Sequence, residues 1–416
     1  MSVVSSPQLM RQANALHVLR ALRASGPLGR TEIARLTGLS KPTVNNIVGE
    51  LLDRRYFHEH EPPSSGAQRP GPQANLLSFN PAIGHVVGFD LGVSRLRAGL
   101  SDLGGNILHL TETSLAGGLP DLPAFADLAT GLAHTLLDRA SLPVGALWAA
   151  GMGLPGFVDR RSGELQLAPG LEAWAGQSFA DTMADAFDAA FACPFTTGGR
   201  VQFAMLAEWR HGVAQGLDDA IFVHLGKGIG LGILAGGRIL QGASGFAGEI
   251  GSIVMDEMEP APPGVGQFEW MAGGRAFARL ARRAVEAGES TALAALCEGD
   301  TERLDARMVF EAASAGDVAA GQIVDRLTGR LARGLAAACC MFNPAKLIVG
   351  AGLAHAGDAF VADLGARIAA LVPFPVSVER TALLDRTSVS GAVEQATRLV
   401  EEEDFFLFAA RDRKAA

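Results

Sequence analysis

The sequence predicts an α/β protein in which an N-terminal winged helix-turn-helix domain precedes a duplicated body of two α/β lobes. Two observations predict this fold class. Helical patterns separated by a glycine turn occupy the N-terminal region, and one strand-and-glycine pattern occurs twice in the remainder. The composition, 48% apolar with 51 glycines in 416 residues, is typical of a folded α/β chain of two or three domains.

Three short helices and a turn form the N-terminal pattern. The first helix has apolar residues at helical spacing and ends at Gly26-Pro27; these residues are Ala15, Val18, Leu19 and Leu22. A second helix over residues 30–37 is expected to direct three side chains inward: Ile33, Ala34 and Leu36. Gly38 supplies a tight turn, and Ser40 is predicted to cap a third helix. The buried side of that helix is formed by Val44, Ile47, Val48 and Leu51.

The exposed N-terminal end of the third helix carries the residues that we assign to DNA binding: Ser40, Lys41, Thr43, Asn45 and Asn46. This end of a recognition helix meets base edges in the major groove, where Asn pairs with adenine and Lys with guanine. Residues 56–60 and 73–79 predict the two strands of a wing. Arg69, in the loop between them, either reaches a minor groove or caps the wing. A three-helix protein-interaction module would have the same pattern of helices.

Charge is distributed unevenly along the chain. Residues 1–60 hold eight Lys or Arg against four Asp or Glu, whereas the whole chain has a net charge of −9. A basic head on an acidic body suits a module that binds a polyanion. No apolar run is long enough to span a bilayer and no signal-peptide pattern is present, so a cytoplasmic protein without membrane association is expected. The four cysteines lack metal-type spacing and are expected to be buried free thiols.

The pattern of the body begins at Val87 and again at Phe222, about one domain's length apart. Each copy is an apolar strand ending in Leu-Gly, a second strand, a Gly-Gly turn and a third strand. Two similar lobes facing each other across a cleft are therefore predicted. The glycine loops either cradle phosphate or serve only as tight turns. The predicted domains are residues 1–80 for the head, 81–200 for the first lobe with a C-terminal helix at 385–410, and 201–384 for the second lobe.

Four motifs of the body, together with the winged head, resemble the ROK family of repressors, open reading frames and sugar kinases. They are Asp90-Leu91-Gly92-Val93-Ser94, Gly151-Met152-Gly153-Leu154-Pro155-Gly156, Gly245-Phe246-Ala247-Gly248-Glu249-Ile250-Gly251 and the run from Asn343-Pro344 to Leu353. The resemblance covers nearly the whole chain. It implies an actin-like, ribonuclease-H-like ATPase fold with a sugar site between the lobes.

The chain departs from the family at the catalytic position. Family kinases carry Asn-Asp there, and the resemblance implies that this Asp takes the proton of the attacking sugar hydroxyl. Gly199 and Arg200 stand at these positions in this chain. Arginine stays protonated and cannot serve as a general base. The next carboxylate along the chain is Glu208, and no catalytic residue is predicted.

The chain also departs from the family at the positions that bind zinc and sugar. The zinc-binding His of the family is Ser252 here, and no cysteine lies between Met255 and Trp270, so neither a metal nor any other cofactor is predicted. The family's Pro-Asn-Leu loop reads Pro169-Gly170-Leu171. The residues expected to contact an effector are Gly153, Gly170, Arg200, Glu249 and Glu269. The two glutamates match family residues that contact sugar, although each could equally be an ordinary ion-pair or helix-cap partner. Lys227 either binds an anion or fills an emptied nucleotide site.

Together these features predict a transcriptional regulator, a repressor, that binds double-stranded operator DNA and senses a small molecule. The resemblance implies a sugar or sugar derivative as that effector. A homodimer or a dimer of dimers is expected. The competing hypothesis is an ATP-dependent sugar kinase with an attached DNA-binding head. A third is a regulator whose cleft is abandoned and whose DNA binding is constitutive.

Overall fold

The computed structural model describes residues 7–61, 75–115, 117–159, 162–166, 170–256 and 259–401. The N-terminal head has the predicted helix-turn-helix and wing. Its elements are α1 (Pro7–Ser25), β1 (Leu28–Gly29), α2 (Arg30–Thr37), α3 (Lys41–Asp53), β2 (Phe57–His60) and β3 (Leu76–Phe79). Strand β3 pairs antiparallel with both β2 and β1. Strand β1, which the sequence analysis missed, fixes the wing to the start of α2.

Local sequence explains the geometry of the head. Gly38 ends α2 in the left-handed region at φ 71°, a conformation that glycine adopts without steric cost. The four predicted apolar residues of α3 are all buried. The prediction for Leu36 was wrong, because this side chain is 45% exposed. Helix α2 has only eight residues, and Ile33 is its one fully buried side chain in the core of the head.

The first lobe is built on a five-stranded sheet. Its elements are β4 (His85–Leu91), β5 (Arg95–Asp102), β6 (Ile107–Ser114), α4 (Leu122–Arg139), β7 (Leu147–Leu154), β8 (Phe157–Val158), β9 (Leu165–Gln166), α5 (Phe179–Phe191) and β10 (Phe195–Gly199). Strand β4 is buried along its whole length. Helices α4 and α5 cover the sheet and enclose a core that includes Phe125, Trp174 and Phe187.

The second lobe contains the longer helices. Its elements are α6 (Arg200–His211), β11 (Ala220–Leu225), β12 (Ile229–Ala235), β13 (Arg238–Ile239), α7 (Gln267–Ala272), α8 (Gly274–Glu286), α9 (Thr291–Leu296), α10 (Ala306–Ser314), α11 (Val318–Phe342), β14 (Lys346–Gly350), α12 (Asp358–Ala369) and β15 (Ser377–Arg380). Its core is the largest hydrophobic cluster in the described chain and lies between the sheet and helices α8, α10, α11 and α12.

The two large sheets have the same topology. The strand order is β6-β5-β4-β7-β10 in the first lobe and β13-β12-β11-β14-β15 in the second. In each sheet the first three strands in sequence are antiparallel, and the last two add in parallel. The repeat seen in the sequence is therefore a duplication of the fold, as predicted.

A final helix, α13 (Thr387–Leu399), packs against β4 and β7 of the first lobe and against α6 of the second. Completion of the first lobe by a helix at 385–410 stays a prediction, and the stretch from 402 to 410 lies outside the described residues. The predicted domain boundaries at 80, 200 and 384 remain predictions. No described helix has both the length and the apolar character needed to cross a membrane.

The cysteines are free in the described structure. Three of them, Cys193, Cys297 and Cys339, are buried as expected. The expectation was wrong for Cys340, which is exposed. Neighbouring residues on a helix point in directions about 100° apart, so burial of Cys339 in the core turns Cys340 outward.

Close approach of α13 to α6 depends on Gly391, because a methyl group there would overlap the backbone carbonyl of Phe203. We expect Gly391→Ala to lower the free energy of unfolding by about 3 kcal/mol, a typical upper value for overpacking. Gly321→Ala is a matched control on α11, since its methyl group would meet nothing within 4 Å. Gly321→Ala should be neutral or stabilising by up to about 1 kcal/mol. Equal urea midpoints for the two variants, followed by tryptophan fluorescence, would contradict the predicted contact.

Candidate functional site

The first candidate surface is the N-terminal end of α3. The Thr43 N–H donates to Ser40 Oγ at 3.3 Å, which confirms Ser40 as the helix cap. The hydroxyl groups of Ser40 and Thr43 also lie 2.7 Å apart in a hydrogen bond. Lys41, Asn45 and Asn46 are exposed on this end of the helix, whereas Thr43 is half-buried. Their DNA-binding roles stay predictions, and Arg69 lies outside the described residues.

Ion pairs limit which cations of the head are available to a polyanion. Arg11 and Arg54 both pair with Glu50, and Arg30 pairs with Glu59. In the described part of the head, Lys41 makes no ion pair. Its ammonium group is therefore free for phosphate or guanine at the end of α3 where base contacts are expected.

The second candidate site is a cleft of about 610 Å³ between the two lobes. Its walls come from the end of β4, the start of α6, the turn between β11 and β12, the first turn of α8 and the start of α13. Among the predicted effector residues, Arg200, Glu249 and Glu269 line this cleft.

An ion pair closes the floor of the cleft. Arg200 Nη2 donates to Asp90 Oδ2 at 3.0 Å, and the side chain of Asp90 is only 4% exposed. Arg200 begins α6, where the positive end of the helix also favours a carboxylate. Arg200 Nε and Asp90 Oδ1 are buried, and no described group bonds to them. Asp90 opens one of the four family-like motifs, but its pairing with Arg200 was not predicted.

The two predicted glycines lie behind the cleft and do not line it. A Cβ atom on Gly153 would lie 3.2 Å from Arg200 Cα, so Gly153 allows α6 to start close to β7. Gly170 has φ 84°, and its N–H donates to Glu172 Oε1 at 2.9 Å. A Cβ atom on Gly170 would contact Val93, which does line the cleft. Any effect of these glycines on a ligand would be indirect.

Two carboxylates form one wall of the cleft. Burial and the neighbouring charge of Glu269 raise the pKa of Glu249. Burial also raises the pKa of Glu269, although a hydrogen bond from the Ile229 N–H at 3.3 Å opposes this shift. Neither glutamate lies within ion-pair distance of a described cation, although the charge of Arg275 also lowers the pKa of Glu269. Both can accept hydrogen bonds from a hydroxylated ligand.

His224 lines the cleft and was missed as a site residue. Burial, and then the positive charge of Arg200, lower the pKa of this imidazole from 6.5 to about 3. At neutral pH the ring is uncharged and offers one donor and one acceptor. The sequence signal that could have identified it is a histidine within the otherwise apolar strand Ala220–Leu225.

Glu208, the next carboxylate along the chain after Arg200, does not serve the cleft. Glu208 is fully buried, and it accepts hydrogen bonds from the Val213 N–H at 3.0 Å and from the Thr381 hydroxyl. Burial raises its pKa. Glu208 therefore binds α6 to the following loop and to the segment after β15, and it is not among the residues that line the cleft.

The segment that binds zinc in the family is held here by side-chain bonds. Gln267 accepts from the Asp256 N–H at 3.0 Å and donates to the Glu259 carbonyl at 3.1 Å. The Glu259 carboxylate pairs with Arg330 and Arg279. The described residues contain no group of three or more His, Cys, Asp or Glu that could hold a metal. The donors present near Ser252 thus do not fit a zinc ion.

Sequence comparisons give two family matches. The chain matches the ROK family over residues 86–398 and the IclR helix-turn-helix domain over residues 13–59. It is 27% identical over 392 residues to a putative xylose repressor of Caldicellulosiruptor sp., covering 92% of this chain and 95% of that protein. It is 29% identical over 296 residues to a glucokinase of Thermotoga maritima, covering 68% of this chain and 86% of that protein.

A solved structure has the same arrangement of head and lobes. It is a ROK family transcriptional regulator described as a homologue of the Escherichia coli Mlc protein. It superposes with a TM-score of 0.78 over 96% of this chain and 99% of that chain, at 21% identity. At this identity the likeness supports the fold alone.

Removing Arg200 should reveal the cost of an unpaired buried carboxylate. We expect Arg200→Ala to lower the free energy of unfolding by about 3 kcal/mol at pH 7, because Asp90 would be left without a counter-charge. The double variant Asp90→Asn/Arg200→Ala should recover much of this loss, since a neutral amide is cheaper to bury. Urea titration tests both. Wild-type stability in Arg200→Ala would show that the pair contributes little.

The depressed pKa of His224 predicts a pH dependence. The folded chain holds the imidazole neutral down to about pH 3, whereas the unfolded chain protonates it near 6.5. Stability contributed by the neutral ring is therefore present above pH 6.5 and is lost as the pH falls from 6.5 towards 3. His224→Gln should show a shallower decline of unfolding free energy over this range. At pH 8, where the ring is neutral in both states, the two slopes should agree; identical slopes at all pH values would refute the buried neutral ring.

Proposed function

Because the chain belongs to the ROK family, we propose that it is an operator-binding repressor whose cleft senses a sugar or sugar derivative without phosphorylating it. The head supports DNA binding, since its helix-turn-helix matches the IclR type. The relative named a putative xylose repressor spans nearly the full length of this chain, head included. Such a regulator would act in the cytoplasm, where its operator is found.

The observation that carries the proposal is the Arg200–Asp90 ion pair. It pairs the buried carboxylate of Asp90 with Arg200, the cation that stands where the family resemblance leads us to expect a general base. Glu208, the nearest carboxylate along the chain, is engaged elsewhere. The cleft can therefore bind a hydroxylated ligand through Glu249 and Glu269, while Arg200 cannot act as a general base because arginine stays protonated.

An effector signal would reach the head through α13. The start of this helix lines the cleft through Thr387 and Ser388, and the chain just beyond its end is joined to α1 by an ion pair between Arg23 and Glu401. Arg23 Nη2 also donates to the Leu103 carbonyl of the first lobe at 2.7 Å. Movement of the lobes about α13 would change the position of the head. A ligand that prefers one arrangement would shift the population towards it.

Two-fold symmetry of a homodimer would set the spacing of the DNA half-sites. In a two-fold homodimer the two α3 helices would read half-sites about one DNA turn, or a multiple of one turn, apart. Selection of bound fragments from a library of short duplexes should yield a sequence with two-fold symmetry. The selected duplex, labelled with fluorescein, then serves for anisotropy titrations with and without candidate sugars. Enrichment of no sequence would refute a sequence-specific regulator. Unchanged affinity with every sugar would favour constitutive DNA binding.

Lys41 gives a direct test of the α3 surface. Lys41→Ala should weaken binding of the selected duplex about tenfold, because one charged contact to phosphate or guanine is lost. The free energy of unfolding should stay the same, since the side chain is exposed. Arg238→Ala removes one exposed cation from β13 and is the matched control. Equal affinities of the two variants would show that Lys41 is not part of the interface.

A further inference from the structure

Two cations line the cleft without a described partner at ion-pair distance, although the charge of Arg275 lowers the pKa of Glu269. Lys227 lies in the tight turn between β11 and β12, and Arg275 lies in the first turn of α8. Within the described ranges neither forms an ion pair. The other cleft cations are engaged: Arg200 pairs with Asp90, Arg97 with Glu112 and Asp385, and Arg95 with Glu112.

Backbone contacts bring these two cations to one corner of the cleft. The Gly274 N–H donates to the Gly226 carbonyl at 2.8 Å, and a Cβ atom on Gly274 would lie 3.5 Å from Lys227 Cα. Helix α8 has 13 residues, no side-chain cap and no acidic residue in its first turn. The positive end of the helix dipole therefore adds to the charges of Lys227 and Arg275.

The floor of the cleft independently indicates a ligand. Asp90 is 3% exposed, and its Oδ1 atom has no described partner. Buried polar atoms nearly always have a hydrogen-bond partner, and a hydroxyl group of a bound ligand would supply one here. Glu249 and Glu269 offer further acceptors. The cleft thus presents acceptors for hydroxyl groups beside a corner that is positively charged.

We propose that the effector is a hydroxylated anion, and that Lys227 and Arg275 bind its acidic group while Glu249 and Glu269 bind its hydroxyl groups. The acidic group is a phosphate ester or a carboxylate on a sugar. This inference rests on the sugar-sensing function proposed above and specifies the charge of the ligand. A neutral sugar would leave Lys227 without a counter-charge, so the acidic form should bind more tightly.

Matched sugars differing only at one carbon test the charge preference. Isothermal titration of the full chain is made with glucose, glucuronate and glucose 6-phosphate, and with galactose, galacturonate and galactose 6-phosphate. In at least one series an acidic member should bind ten times or more as tightly as its neutral parent. The carboxylate and phosphate arms show which acid is preferred, and inorganic phosphate alone should bind more weakly than the preferred sugar.

Variants test whether Lys227 causes the preference for an acidic sugar. Lys227→Gln should reduce affinity for the preferred acidic sugar at least tenfold and leave affinity for the neutral parent almost unchanged. Arg238→Gln, on the exposed side of β13, should change neither. A neutral sugar that binds as tightly as its acidic forms, no binding by any acidic member, or an unaltered preference in Lys227→Gln would overturn the proposal. If a neutral sugar binds and alters operator affinity, the sensing function stands and only the charge assignment fails.

Discussion

Arg200 and Asp90 form an ion pair at the floor of the cleft, and most other features of the cleft depend on it. The pair joins the start of α6 to the end of β4. It places a positive charge next to His224, which with burial keeps that imidazole neutral. It also leaves one polar atom on each partner free to bond with a ligand. Arginine stays protonated, so Arg200 cannot remove a proton from a ligand, which favours the proposed binding over chemistry.

The packing of α13 supports the two elements that carry this ion pair. Helix α13 lies between β4 and α6, the two elements that carry Asp90 and Arg200. Gly391 allows α13 to approach α6 closely. A tightly packed interface of this kind has little room for small side-chain shifts, so a shift in the cleft is passed on to the neighbouring element. Past the end of α13, Glu401 pairs with Arg23 of the head. Helix α13 and the residues just after it thus connect the proposed ligand site with α1 of the head.

Features that depend on local sequence could be predicted, and those that depend on distant contacts could not. The glycine turn, the Ser40 cap and the apolar side of α3 follow from neighbouring residues. The duplicated lobes follow from a repeated glycine pattern. The partner of Arg200 could not be read from sequence, because Asp90 is 110 residues away. Gly153 and Gly170 match family motifs, but a motif does not reveal whether a backbone lines a cleft or lies behind it.

The proximity of Lys227 and Arg275 also depends on a distant contact and could not be predicted from the sequence. Lys227 stood out as an unusual residue in a glycine loop, whereas Arg275 had no sequence signal of its own. The close approach of the Gly274 backbone to Gly226 and Lys227 in the folded chain brings them together.

The central claim is that this cleft binds a ligand without transferring phosphate. The most direct measurement is phosphoryl transfer from Mg²⁺-ATP labelled at the γ-phosphate to each sugar of a broad panel, using the purified full chain. We predict that labelled sugar forms no faster than it does without protein, even for sugars whose binding is detected by calorimetry. Steady turnover with any of these sugars, abolished by Asp90→Asn, would contradict it and identify the chain as a kinase.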